Sequence, residues 1–193
     1  YQQKGAMWIE VHLRGEPAHG SRPWDGRNAL AALRDGMAAM ERSFPTPDEA
    51  AWLTTVVPTI VRGGEAGNRL PETVVLTLDI RHVPEDQPER ILATLRECYP
   101  DGEVRFMRGG PPLDTDPHDP QVQRLAACAA EIFGQTPRMY REHFASDARY
   151  YSDSGMPAVC FGPVGAGLHS DEEWVDIASL GQLYDALYAF VTT

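Results

Sequence analysis

The chain has 193 residues, 42% hydrophobic and 23% charged, a globular balance with no biased tract or short repeat. No apolar run approaches the roughly 20 residues of a membrane-spanning helix, and no signal-peptide pattern opens the sequence, so a cytoplasmic protein without a membrane partner is expected. Lys and Arg number 17 against 28 Asp and Glu; the net charge of −11 repels phosphate backbones and argues against a nucleic-acid partner.

In chain order, Met7, Ile9, Val11 and Leu13 alternate with Trp8, Glu10 and His12, the pattern of a half-buried strand over 7–13. A Gly/Pro-rich turn leads to a helix from about Asn28, whose stripe is Leu30, Leu33, Met37, Met40 and Phe44; Pro45 and Pro47 end it. Two strands, Thr54–Arg62 and Thr73–Arg81, flank a glycine-rich connection. A second helix over Gln87–Tyr99 places Ile91, Leu92, Leu95 and Cys98 on one face, and a strand over Glu103–Met107 follows. The order strand, helix, strand, strand, helix, strand predicts a ferredoxin-like α+β domain over residues 6–109, an antiparallel sheet with both helices on one face.

Beyond Gly109-Gly110-Pro111-Pro112 the texture changes. Pro120 opens a helix with Val122, Leu125, Ala126, Ala129, Ile132 and Phe133 as its stripe. A strand at Arg138–Arg141, a helix from about Ser146 and a buried strand at Ala158–Phe161 come next. An amphipathic helix closes the chain with Leu180, Leu183, Tyr184, Leu187, Tyr188 and Val191 on its apolar side. This run over 110–193 reads as part of a parallel α/β sheet rather than a complete domain. Cys98, Cys128 and Cys160 are odd in number and lack any CxxC spacing, so buried free thiols are expected.

Three segments carry chemistry. A His in a tight strand-to-helix loop, Ala18-His19-Gly20-Ser21-Arg22-Pro23, projects a donor or stands idle. Gly63-Gly64-Glu65-Ala66-Gly67-Asn68-Arg69-Leu70-Pro71 is a glycine-rich hairpin connection leading into Asp79-Ile80-Arg81, in which Asn68 suits a left-handed turn. His169, ahead of Ser170-Asp171-Glu172-Glu173, follows a glycine loop; it is either a metal ligand or a bystander in a solvated acidic loop. Asp171 or Glu172 could orient its second ring nitrogen.

Taken together, in this order and at these intervals, the segments resemble the C-terminal part of the metal-dependent amidohydrolases that include acetylornithine deacetylase, succinyl-diaminopimelate desuccinylase, aminoacylase and carboxypeptidase G. In that family a ferredoxin-like lid and dimerisation domain is inserted into a two-metal catalytic domain. The resemblance implies a lid over 6–109, followed by the closing α/β segment of the catalytic domain over 110–193. The resemblance also implies a catalytic segment preceding the lid, which this sequence is expected to lack. It further implies that His19 stabilises an oxyanion in the partner subunit's site, that Asn68 contacts substrate or lid backbone, that Arg81 holds a substrate carboxylate and that His169 ligates one metal. Arg141 either reads a substrate carboxylate or pairs with surface acid. Glu172 and Glu173 lie in the wrong segment to be the family's Glu-Glu pair. Asp147 falls where the family has a Ser-Asp pair, but His143-Phe144-Ala145 replaces the usual Gly-Gly-Thr.

The implied chemistry is hydrolysis of the amide bond of N-acyl amino acids or small peptides by a homodimer. The cofactors implied are two divalent metal ions (zinc, cobalt or manganese), with this chain supplying one ligand and inactive alone. A noncatalytic dimerisation or small-molecule-binding module is the competing expectation.

Overall fold

The computed structural model describes residues 1–192. The chain divides into two compact units: Lys4–Pro112, and Tyr1–Gln3 together with everything from Leu113 onward. No helix among the described residues is long and apolar enough to cross a membrane.

After the two-residue strand β1 (Gln2–Gln3), the first unit runs β2 (Gly5–Arg14), α1 (Ala29–Ser43), β3 (Thr55–Gly63), β4 (Thr73–His82), α2 (Pro88–Cys98) and β5 (Gly102–Gly110). The four long strands form one sheet in the order β3-β4-β2-β5, every neighbouring pair antiparallel. Alternation dictates the two faces. Ile9, Val11 and Leu13 of β2 and Val74, Leu76, Leu78 and Ile80 of β4 are buried in one core with Leu33 and Met40 of α1 and Ile91 and Leu95 of α2. Trp8, Glu10 and His12, in register with Asp79, Thr77 and Val75, lie on the opposite, open face.

Each helix starts on a local signal. Asn28 caps α1, its side chain accepting from the Leu30 N–H at 2.9 Å, and Pro88 stands in the first turn of α2. The stripe of α1 is the expected one but for Leu30, which is 44% exposed: Leu33 and Met40 are buried, Met37 and Phe44 pack against the core, and Ala29 and Gly36 also face inward. Gly36 fits this placement. A Cβ there would run into the ring of Tyr99, so the helix lies close against an aromatic side chain that is 2% exposed. Burial pushes the Tyr99 hydroxyl pKa up to about 12.

The second unit continues with β6 (Leu113–Asp114), α3 (Pro120–Phe133), β7 (Arg141–Glu142), α4 (Ala148–Asp153), β8 (Gly165–Ala166), β9 (Trp174–Val175) and α5 (Ile177–Thr192). Strand β1 lies between β6 and β7, antiparallel to the first and parallel to the second; β8 and β9 form a separate hairpin. Asp119 caps α3 through the N–H groups of Gln121 and Val122.

Several expectations for this half are corrected. Ala158–Phe161 is not a strand: the Thr115 hydroxyl takes both the N–H and the C=O of Ala158, and the rest of the segment has no ladder partner among the described residues. The strand expected at Arg138–Arg141 is the two-residue β7. The apolar stripe of α5 is largely turned outward: Ser179 and Ala186 are buried, whereas Tyr184 is 67% exposed and Val191 73%. Small residues let α5 pack on α3, where Arg124 lies 4.2 Å from the Phe190 ring centroid. Cys98 is buried as expected, Cys128 is half-buried and Cys160 is exposed; all three are free.

Candidate functional site

The His19 and Asn68 loops, 49 residues apart in sequence, are stitched together at one end of the sheet. The Gly20 N–H donates to the Asn68 carbonyl at 2.7 Å, the Leu70 N–H donates to the Ala18 carbonyl at 2.8 Å, and His19 and Arg69 form an antiparallel bridge. The His19 loop is also tied to the start of α1 by paired backbone bonds between Glu16 and Arg27. An exposed loop is thereby held by hydrogen bonds at both its flanks rather than by burial.

This anchoring fixes what the histidine presents. His19 Nδ1 accepts from the Ser21 N–H at 3.2 Å and lies 2.8 Å from the Ser21 hydroxyl. An Nδ1 that accepts leaves Nε2 as the protonated nitrogen of the neutral ring, an N–H donor on an exposed side chain. The contribution of Ser21 was not legible beforehand; a Ser two residues after a loop histidine is the signal that would have found it.

Arg81 lies elsewhere. Thr73 of β4 is in register with Arg14 beside the His19 loop, and Arg81 sits eight residues further along, opposite Ala6. At about 3.4 Å per residue Arg81 lies about 27 Å along β4 from Thr73, at the end of the strand away from the His19 and Asn68 loops. The Arg81 guanidinium donates through Nε and Nη2 to both oxygens of Asp79, at 2.7 and 3.0 Å, and lies 5.0 Å from the Trp8 ring centroid. The fork is thus already engaged by an internal carboxylate.

In the C-terminal unit, Arg141 is on β7 and donates from Nε to the Tyr1 hydroxyl at 3.2 Å. His169 occupies the tight loop between β8 and β9 with φ of 64°, the one non-glycine residue with positive φ among those described. Gly167, at φ of 79°, shares the turn, and its carbonyl accepts from both the N–H and the hydroxyl of Ser170. A non-glycine residue held in this region is a mark of strain often kept at functional positions. Neither Asp171 nor Glu172 hydrogen-bonds to His169; the Glu172 N–H is taken by the Ser170 hydroxyl. Asp147 precedes α4 without capping it. No group of three or more His, Cys, Asp or Glu among the described residues is arranged to hold a metal. His169 by itself does not make a divalent-metal centre, which needs several further N or O donors.

Comparison with known proteins places this geometry in context. The family model described as the peptidase dimerisation domain matches residues 1–103. Over 184 residues the chain is 28% identical to succinyl-diaminopimelate desuccinylase of Magnetococcus marinus, covering 92% of this chain and 48% of that protein. It is likewise 28% identical over 187 residues to carboxypeptidase G2 of a Pseudomonas species, covering 91% of this chain and 44% of the relative. Among solved structures, aminopeptidase PepT of Bacillus cereus superposes with a TM-score of 0.83 at 20% identity, over 98% of this chain and 52% of that one, a likeness of fold. The chain spans about half the length of the curated relatives it matches.

Proposed function

The chain belongs to the M20 peptidase dimerisation-domain family, and on that premise we propose that it is the lid and closing segment of a divalent-metal-dependent hydrolase that cleaves the amide bond of N-acyl amino acids or small peptides. In this reading residues 6–109 are a ferredoxin-like lid, consistent with the antiparallel β3-β4-β2-β5 order, and 110–193 belong to the catalytic domain. The outward-facing apolar stripe of α5, and Ala158–Phe161 without a strand partner among the described residues, are what one part of an α/β domain leaves uncovered.

The observation that carries the proposal is that the His19 loop adjoins the Thr73 end of β4 while Arg81 stands eight residues away at the other end, a rise of about 27 Å along the strand, too long for one small substrate on one protomer. Two copies related by a two-fold axis resolve it, one supplying His19 and Asn68, the other Arg81. The free edge of β3 and the adjoining face of α1 suit such an interface, because Leu30, Val57, Ile60 and Val61 are each more than 40% exposed there. In the reaction, His19 Nε2–H donates to the oxyanion of the tetrahedral intermediate, for which one well-aimed donor typically contributes about 3 kcal/mol. Asn68 steadies the substrate beside it and Arg81 belongs to the carboxylate end. His169 contributes a single metal ligand; the other ligands and the proton-transferring group lie outside these 193 residues.

The test is hydrolysis of a panel of N-acyl amino acids and dipeptides by the longer protein carrying this chain, with Zn²⁺, Co²⁺ or Mn²⁺ added, alongside its mass by light scattering. Metal-dependent turnover by a dimer that falls at least a hundredfold in His19→Ala supports the reading. An inert protein, or His19→Ala with unchanged kinetics, favours a noncatalytic dimerisation or binding module instead.

A further inference from the structure

On the open face of the four-stranded sheet, the three carboxylates Glu10, Asp79 and Glu103 each already have a side-chain partner: His12 at 2.9 Å, Arg81 at 2.7 Å and Arg105 at 2.6 Å. Arg108 is different. Paired in register with Trp8 across β2 and β5, its guanidinium lies 4.3 Å from the Trp8 ring centroid, and no carboxylate lies within 4 Å of it among the described residues. The register shift in β5 just beyond this pair gives the edge strand an extra residue there, a device that re-aims side chains at sheet edges. One indole therefore carries two guanidiniums, one neutralised by Asp79 and one not, in a chain whose overall charge is −11.

We propose that Trp8 and Arg108 form a carboxylate-binding site on this sheet face, in which Arg108 supplies the charge that reads the ligand's carboxylate and Arg81, clamped by Asp79, is the positioning residue beside it. The charge balance sets the stoichiometry: two guanidiniums and one internal carboxylate leave one positive charge, matched by one carboxylate. The indole face covers and partly dehydrates one side of the planar guanidinium above it, leaving N–H groups of the fork for bidentate binding. The occupant is the free carboxylate of an N-acyl amino acid. That choice of ligand rests on the proposed hydrolase reading, and it moves the specificity-determining charge from Arg81 to Arg108.

Equilibrium binding to the 193-residue chain tests this without any turnover. The indole N–H resonance of Trp8, assigned with Trp8→Phe, is followed while N-acetylalanine or its uncharged amide is titrated at low salt. The acid is expected to bind about tenfold more tightly than the amide, as loss of one charge-assisted hydrogen-bond pair implies. Arg108→Gln abolishes that preference. Asp79→Asn, which frees the Arg81 fork and raises the local charge, strengthens acid binding severalfold. Equal affinity for acid and amide, no binding of either, or a preference that survives Arg108→Gln and vanishes in Arg81→Gln would overturn the proposal. The last outcome leaves the hydrolase reading intact with Arg81 as its carboxylate reader, whereas failure of the hydrolase reading shows separately, as absent turnover in the longer protein.

Discussion

The two units of this chain differ in how much of their apolar surface they bury. In the Lys4–Pro112 unit, four strands of nine or ten residues present one alternating face to two helices, and the side chains from both layers close on each other. In the C-terminal unit every strand is two residues long, and its fully buried apolar side chains are Leu113, Val122, Ala129 and Ala186, while most of α5 faces outward. A sheet face and two helical stripes of matching width suffice for a core. Helices around two-residue strands do not suffice, and on the proposed reading their exposed apolar surface is where the rest of the catalytic domain packs.

The largest test of this contrast is a pair of truncations. Leu78→Ala, at a fully buried position, is expected to cost about 3 kcal/mol in denaturant unfolding of the first unit. Leu187→Ala, 41% exposed, should change stability by about 0.5 kcal/mol or less. Equal costs would mean that α5 is as well covered as β4. Next, Gly36→Ala forces a methyl against the Tyr99 ring and should destabilise by about 2 kcal/mol, read as a drop in midpoint with the slope unchanged. Smaller still, the caps compare the units directly: Asn28→Ala and Asp119→Ala should each cost about 1 kcal/mol, with hydrogen exchange accelerating only in the unit that holds the altered cap.

A last, directional test concerns His82, 2% exposed at the end of β4. Burial holds its imidazole below the ordinary 6.5, against the opposing pull of the Val83 and Gly110 backbone and of Asp86. The unfolded chain therefore takes up a proton at a pH where the folded chain does not. Stability is full above about pH 6.5, falls as the pH drops below it, and stops falling once the lowered folded value is passed. His82→Gln should flatten the part of the profile just below about pH 6.5; an unchanged slope would assign the dependence to other groups.

What was legible in the sequence follows the same division. The six elements of the first unit each carried a sustained period of two or 3.6, and each is present, with Leu30 displaced because nothing in the helix itself reports that Gly36 must meet Tyr99. In the second unit, Ala158–Phe161 had the apolar look of a strand, but a four-residue run carries no period and its ladder depends on partners elsewhere. The site divides similarly. His19, Asn68 and His169 stood out by loop context, whereas the His19–Ser21 contact, the stitching of Ala18 and Gly20 to the Asn68 loop, and the clamp of Asp79 on Arg81 come from hydrogen bonds that no linear pattern encodes.

The central claim is that His19 of one subunit serves the site to which the partner subunit's sheet contributes Arg81. Mixing two inactive variants of the longer protein, His19→Ala and Arg81→Ala, tests it most directly. If the residues act across the dimer, a mixed dimer holds one site with both groups intact. Subunit exchange should then restore about a quarter of wild-type turnover, because about half the dimers are mixed and each has one good site. If both residues serve the same protomer, the mixture stays as inactive as its components, and the shared site is contradicted.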